Sequence, residues 1–130
     1  MMLVHLVIAL ALLEFLLFGF AVARARVSCN VPAPATTGNE TFERYFRVQA
    51  NTLEQLVVFV PSILLFAHYV QPLMAAALGA VFIIGRAVYF RGYVRSAAGR
   101  HLGFTLSFAP NVALLAGGLI GIARALLAHA

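Results

Sequence analysis

The chain has 130 residues, of which 63% are hydrophobic and only 10% charged, with a formal net charge of +5. A soluble domain is nearer about half apolar and about a quarter charged, so this composition describes an integral membrane protein in a single domain spanning residues 1–130. The positive charge does not indicate nucleic-acid binding: all nine basic residues are arginine, and they sit at the ends of apolar runs, as suits an anionic membrane surface.

The first apolar run is Leu3–Ala23, interrupted by His5 and Glu14. It lacks a basic leading segment and carries Glu14 in its apolar part, so it reads as a retained span, not a cleaved leader. Residues 24–41 form a long polar loop with Pro32, Pro34 and Gly38 as turn residues. The second run is roughly Leu53–Val70. A very short link around Val70–Pro72 makes the third run, roughly Leu73–Tyr89, its antiparallel neighbour. The fourth is Leu102–Leu127, with Pro110–Asn111 inside it. Each approaches the roughly 20 residues needed to cross a bilayer core, and backbone in lipid must satisfy its own hydrogen bonds, so all four are helices. With their flanks the expected helices cover roughly 3–27, 42–70, 72–100 and 102–128. The fold class is an all-α membrane bundle of four transmembrane helices. Arginines crowd the first and third loops, and the second has none, so the positive-inside rule puts loops one and three in the cytoplasm. Arg124 is a mild exception.

The polar residues on these helices are patterned. Leading into the second span is "FERYFRVQANTLEQLVVFVP". At 100° per residue, Arg44, Arg47, Asn51 and Glu54 fall within an arc of about 80°. Gln55 lies at the edge of that arc, and Gln49 points the other way. Arg86, Tyr89, Tyr93 and Arg100 form a second stripe on the third helix, with Ser96 on the same face, provided that the helix continues to Arg100. Both stripes lie near the same ends of adjacent helices. An arginine at bilayer depth costs roughly 3 kcal/mol on insertion scales, so such groups turn toward a bundle interior or a water-filled cleft. Single residues of this kind serve as headgroup anchors, but two matched stripes on neighbouring helices predict a shared site. Arginine forks pair with carboxylates, and Glu54 pairs with an ammonium. The expected ligand is small and zwitterionic with excess negative charge, and it meets something apolar where the cleft opens to lipid.

The stretches "ERYFRVQANTLE" and "RAVYFRGYVRSAAGR" resemble the MAPEG family, the membrane-associated proteins in eicosanoid and glutathione metabolism. The resemblance extends over nearly the whole chain and rests on the R-x-x-x-N-x-x-E core and on Y-x-x-x-Y followed seven residues later by Arg. It implies a homotrimer with sites at subunit interfaces on the cytoplasmic side, and glutathione as co-substrate. By motif, Arg47, Asn51, Glu54, Tyr89 and Tyr93 would hold glutathione within one subunit, and Arg26 and Gln49 would reach it from the neighbour. Arg100 is implied as the catalytic residue, its guanidinium favouring the thiolate. The partners implied are membrane lipid and a hydrophobic electrophile or lipid hydroperoxide, and the place a bacterial inner membrane. The leukotriene C synthase branch usually has Tyr where this chain has Gln55, and two adjacent arginines where Arg26 is followed by Val27. A general glutathione transferase or peroxidase is therefore the expected activity.

Two alternatives accompany this reading. One is a non-enzymatic lipid-binding member of the same fold. The other is a small multidrug or cation exporter using Glu14, which leaves both stripes unexplained. Otherwise Glu14 would bond a polar partner in the trimer core that the sequence does not identify. His101 could touch substrate. The single Cys29 pairs with nothing, and no residues have metal-ligand spacing. Pro61 and Pro110 are expected to kink their helices.

Overall fold

A computed structural model describes residues 1–130. Four helices account for nearly all of them: α1 (Met2–Ser28), α2 (Glu40–Tyr69), α3 (Pro72–Arg95) and α4 (His101–Ala128), with one 3-10 turn, Ala97–Arg100, before α4. All four are long and apolar enough to cross a membrane.

The helix starts follow from local chemistry. Asn39 has extended backbone and accepts a hydrogen bond from the Phe42 N–H (3.0 Å) at the head of α2. Glu40 and Glu43 stand in the first turn, where the helix dipole favours negative charge. Gln71 caps α3 by accepting from the Met74 N–H, and Pro72 occupies the first turn, where its missing N–H costs nothing. Both α2 and α4 run through their prolines, Pro61 and Pro110.

The main core joins all four helices: Val4, Val7 and Ala11 of α1, Leu56, Phe59 and Ile63 of α2, Ala75, Ala76 and Phe82 of α3, and Leu114 of α4. Phe59 and Phe82 stack with ring centroids 4.0 Å apart. Large apolar side chains also cover the outer faces of α1 and α4, among them Leu13, Leu16, Leu17, Leu119 and Ile120. Such faces are stable against lipid tails or neighbouring helices, not against water.

Two glycines set how closely α3 and α4 approach. A Cβ on Gly85 would stand 2.6 Å from the Leu106 carbonyl carbon and 2.7 Å from the Ser107 nitrogen, and a Cβ on Gly103 would strike the Tyr89 backbone. Backbone cannot yield as a flexible side chain does. Gly85→Ala is therefore expected to force the pair apart and to lower unfolding stability in detergent by about 1–3 kcal/mol. An unchanged SDS-unfolding midpoint would show that the close approach is not needed.

The structure corrects the expectation that the third helix continues to Arg100. α3 stops at Arg95, and Ser96 takes extended backbone (φ −162°, ψ 149°). The chain then folds back so that the Gly99 backbone lies directly against that of Gly92. Two residues without side chains permit this contact, and the Arg44 Nε–H closes the end of α3 by donating to the Val94 carbonyl (3.1 Å).

Candidate functional site

Between α2, α3 and the start of α4 lies a cavity of about 550 Å³, lined by Arg47, Asn51, Glu54, Gln55, Arg86, Tyr89, Tyr93, Arg100, His101 and Phe104. That size suits a small molecule. Three guanidiniums face one carboxylate, so the cavity favours a ligand that is anionic overall yet carries a cationic group for Glu54.

On α2, Arg47, Asn51 and Glu54 share a face because they lie four and three residues apart. The Arg47 Nη2–H donates to Asn51 Oδ1 (3.2 Å), and the Asn51 amide donates to the Tyr89 hydroxyl on α3. Asn51 thus bridges two helices and fixes a donor and an acceptor at the wall. Tyr89 is 2% exposed, and its ring centroid lies 5.5 Å from that of Tyr93. Arg100 reaches the cavity from the 3-10 turn, not from a longer α3. Its Nη1–H donates to the Ala97 carbonyl, and its guanidinium carbon lies 5.9 Å from the Tyr93 ring centroid. The fold-back at Ser96 brings Arg100 beside the mouth.

Arg86 forms the floor and is fully buried. Its Nε–H and one Nη2–H donate to the Thr52 hydroxyl (3.2 and 2.9 Å), and an Nη1–H donates to the Ser107 hydroxyl (3.0 Å). Those hydroxyls in turn donate to the Val48 and Gly103 carbonyls one turn back (2.7 and 2.8 Å). The guanidinium also lies 4.1 Å from the Tyr89 ring centroid, a cation–π contact. Glu14 of α1 is within electrostatic range of Arg86, and its Oε1 is buried without a hydrogen-bond partner. One buried cation therefore ties together residues from α2, α3 and α4 and holds the Tyr89 ring from behind.

Several residues expected at the site lie elsewhere in the protomer. Arg44 serves the end of α3 and Ser96 caps that helix. Arg26 is turned into the first loop, where its Nη1 donates to the Val31 and Ala35 carbonyls (3.1 and 2.7 Å) and its guanidinium covers the Phe42 ring. Gln49 faces α1, with Nε2 2.9 Å from the position of a Cβ on Gly19. In contrast, Gln55, seen in the sequence only at the edge of the arc, lines the cavity, as do His101 and Phe104. Nothing in the sequence links Gln55 to Asn111, whose amide donates to it across 56 residues.

A second cavity, of about 660 Å³, lies against the loop end of α1, bounded by Phe20, Arg24, Cys29, Tyr45 and Phe90 among others. It offers a single guanidinium and no carboxylate, and it lacks the convergence of opposite charges found at the first. No group of three or more His, Cys, Asp or Glu side chains lies close enough to hold a metal ion.

Comparison with known proteins supplies independent information. The model of the MAPEG family matches residues 3–120. The Synechocystis protein "Uncharacterized protein sll1147" is 48% identical over 117 residues, covering 90% of this chain and 85% of that protein. Human microsomal glutathione S-transferase 2 is 38% identical over 110 residues, covering 85% of this chain and 75% of the human protein. Guinea-pig (Cavia porcellus) leukotriene C4 synthase is 39% identical over 80 residues, covering 62% of this chain and 53% of the synthase.

Proposed function

Since the chain belongs to the MAPEG family and is thereby a multi-pass membrane protein, we propose that it is a glutathione-dependent transferase, with peroxidase activity toward lipid hydroperoxides, that works from the cavity between α2, α3 and α4. The observation that carries this reading is the joint placement of Arg47, Asn51, Glu54, Tyr89, Tyr93 and Arg100 around one hollow. Glutathione has two carboxylates, one ammonium and a thiol. Arg47 and the Asn51 amide suit a carboxylate, Glu54 suits the ammonium, and the two tyrosines offer hydroxyls and flat packing surface. The similarity to microsomal glutathione S-transferase 2 supports the same ligand.

Arg100 is the residue placed for chemistry. A free thiol of this kind ionises near pH 8.5 and is mostly protonated at neutral pH; a guanidinium beside the sulfur favours the thiolate. The thiolate then attacks an electrophile that arrives through the lipid, forming a sulfur–carbon or sulfur–oxygen bond. Binding both partners in one cleft removes the cost of bringing a water-soluble thiol to a lipid-soluble acceptor. Assembly as a homotrimer accounts for Arg26 and Gln49: each faces away from its own subunit's cavity and would complete a neighbour's. With loops one and three in the cytoplasm, the cavity opens to the compartment that supplies glutathione, as fits a bacterial inner membrane.

Calorimetric titration of glutathione in detergent, with thiolate absorbance followed in parallel, tests the reading. Binding with a thiolate band is expected. Binding without the band would instead indicate a non-catalytic lipid-binding member. Glu54→Ala is expected to weaken glutathione binding by about 1.5–3 kcal/mol, the range for a charge-assisted hydrogen bond. Unaltered affinity in that variant would place the ammonium elsewhere.

A further inference from the structure

Gln55 is held in one orientation by a chain of bonds that starts at the backbone. The Asn111 Nδ2 group donates to the Gln55 main-chain carbonyl (3.1 Å) and to the Gln55 side-chain Oε1 (2.9 Å). A backbone carbonyl only accepts, so the Asn111 amide must present its nitrogen to it. The same nitrogen then presents a donor to Gln55, which must present oxygen in return. Neither amide can flip without setting two like groups against each other. Asn111 is 3% exposed, and its own Oδ1 is buried with no partner. Its side chain is spent on Gln55 at the expense of its own acceptor, a cost that a purely structural asparagine would avoid by turning over. With Oε1 engaged by Asn111, the Nε2 donors of Gln55 are left for the cavity that this residue lines together with Arg100 and Phe104. They stand among an apolar ring and the guanidinium assigned to the thiolate, on the side of α2 that meets α4.

We propose that Gln55 orients the electrophile: its amide N–H groups, aimed by Asn111, hold an oxygen atom of the acceptor and so select hydroperoxides and epoxides over acceptors without oxygen. This inference rests on the glutathione reading and names the substrate class of the same site. With an epoxide, the thiolate sulfur bonds to carbon, the carbon–oxygen bond breaks, and the alkoxide takes a proton from water. With a hydroperoxide, the sulfur takes the outer oxygen, the oxygen–oxygen bond breaks, and the alkoxide is protonated to an alcohol. The glutathione sulfenic acid then reacts with a second glutathione to give the disulfide and water. Sulfur is oxidised and the peroxide reduced. In both reactions negative charge develops on the oxygen that Gln55 holds, where a fixed donor stabilises the transition state more than the ground state. Gln55 is then a substrate-contacting residue and Asn111 a positioning residue that acts through it.

The test compares two acceptors on the same protein: cumene hydroperoxide, which carries the oxygen, and benzyl chloride, which has none. Gln55→Met keeps the length of the side chain and removes the donors. It is expected to lower the ratio of kcat/KM for the hydroperoxide to that for the chloride by about tenfold, the value of one hydrogen bond. Asn111→Ala should lower the same ratio, and the double variant should fall no further than Gln55→Met alone, because Asn111 acts only through Gln55. Equal loss with both acceptors, or an additive double variant, overturns the proposal. Should the wild type turn over neither acceptor, the glutathione reading fails, and equilibrium binding decides the role of Gln55 by itself. Cumyl alcohol should then bind more tightly than the hydrocarbon cumene by a margin that shrinks about tenfold in Gln55→Met. An unchanged margin overturns the proposal.

Discussion

Replacing Arg100 by alanine is expected to leave glutathione affinity within about tenfold of the wild type and to abolish the thiolate absorbance, with kcat/KM falling by about 10- to 100-fold. The separation follows from the geometry. Arg47, Asn51 and Glu54 hold the peptide from α2, and Tyr89 and Tyr93 hold it from α3. Arg100 stands on the 3-10 turn outside both helices. Removing it takes away one cation near the sulfur and leaves the ligand's other attachments in place. Each pKa unit of thiol activation corresponds to about 1.4 kcal/mol, and an arginine in a half-open cleft supplies about one to two such units. Raising the pH should recover the lost rate, since hydroxide then does the ionising. Arg100→Lys should recover only part, because a compact ammonium cannot both bond the Ala97 carbonyl and face the sulfur as the planar fork can. A thiolate band of unchanged intensity in Arg100→Ala would transfer the role to Arg86 or Arg47, the other cations of the cavity.

The sequence shows the angle at which a side chain leaves its helix but not what stands opposite it. Arg44 and Arg47 occupy the same stripe, yet Arg47 faces the cavity and Arg44 is drawn off by the free Val94 carbonyl at the end of α3. That carbonyl is available only because α3 ends at Arg95, and nothing in the local sequence marks that end. Ser96 is no strong breaker, and neither Gly92 nor Gly99 alone stops a helix in a membrane. Their seven-residue spacing matters only because the two backbones press together after the chain turns. The chemistry of Arg100 points to the site, while periodicity assigns it to the wrong element. Contacts between distant segments are the least legible. In the sequence Asn111 is a residue beside a helix-bending proline; in the fold its amide holds Gln55. Periodicity identifies four spans because burial in lipid writes itself into every turn. A single polar bond between two spans leaves no repeating trace.

Arg86→Met should be the most damaging single change in the protein, costing about 3–5 kcal/mol of unfolding stability in detergent and lowering glutathione affinity as well. The guanidinium is fully buried and is shared by Thr52, Ser107 and the face of Tyr89. Methionine fills part of the volume and leaves two hydroxyl acceptors idle. The larger loss comes from α1: Glu14 has a buried oxygen with no hydrogen-bond partner, and Arg86 is the cation within its range. Removing one member of a buried pair strands the other charge, which is why such deletions cost more than the pair itself contributes. Glu14→Gln in the Arg86→Met background should therefore restore part of the stability, whereas Glu14→Gln alone should destabilise. Unfolding by SDS titration of the four combinations measures the coupling directly. Additive losses would separate the two residues, and proton-coupled drug exchange abolished by Glu14→Gln in an otherwise stable protein would give Glu14 to transport. The affinity loss has a different route: without the cation behind its ring, Tyr89 is free to leave Asn51, and the donor–acceptor pair on the cavity wall loses its registration. Arg86 is therefore expected to couple the stability of the bundle to the readiness of the site, and Arg86→Lys, which keeps charge but cannot span Thr52 and Ser107 together, should recover stability more than affinity.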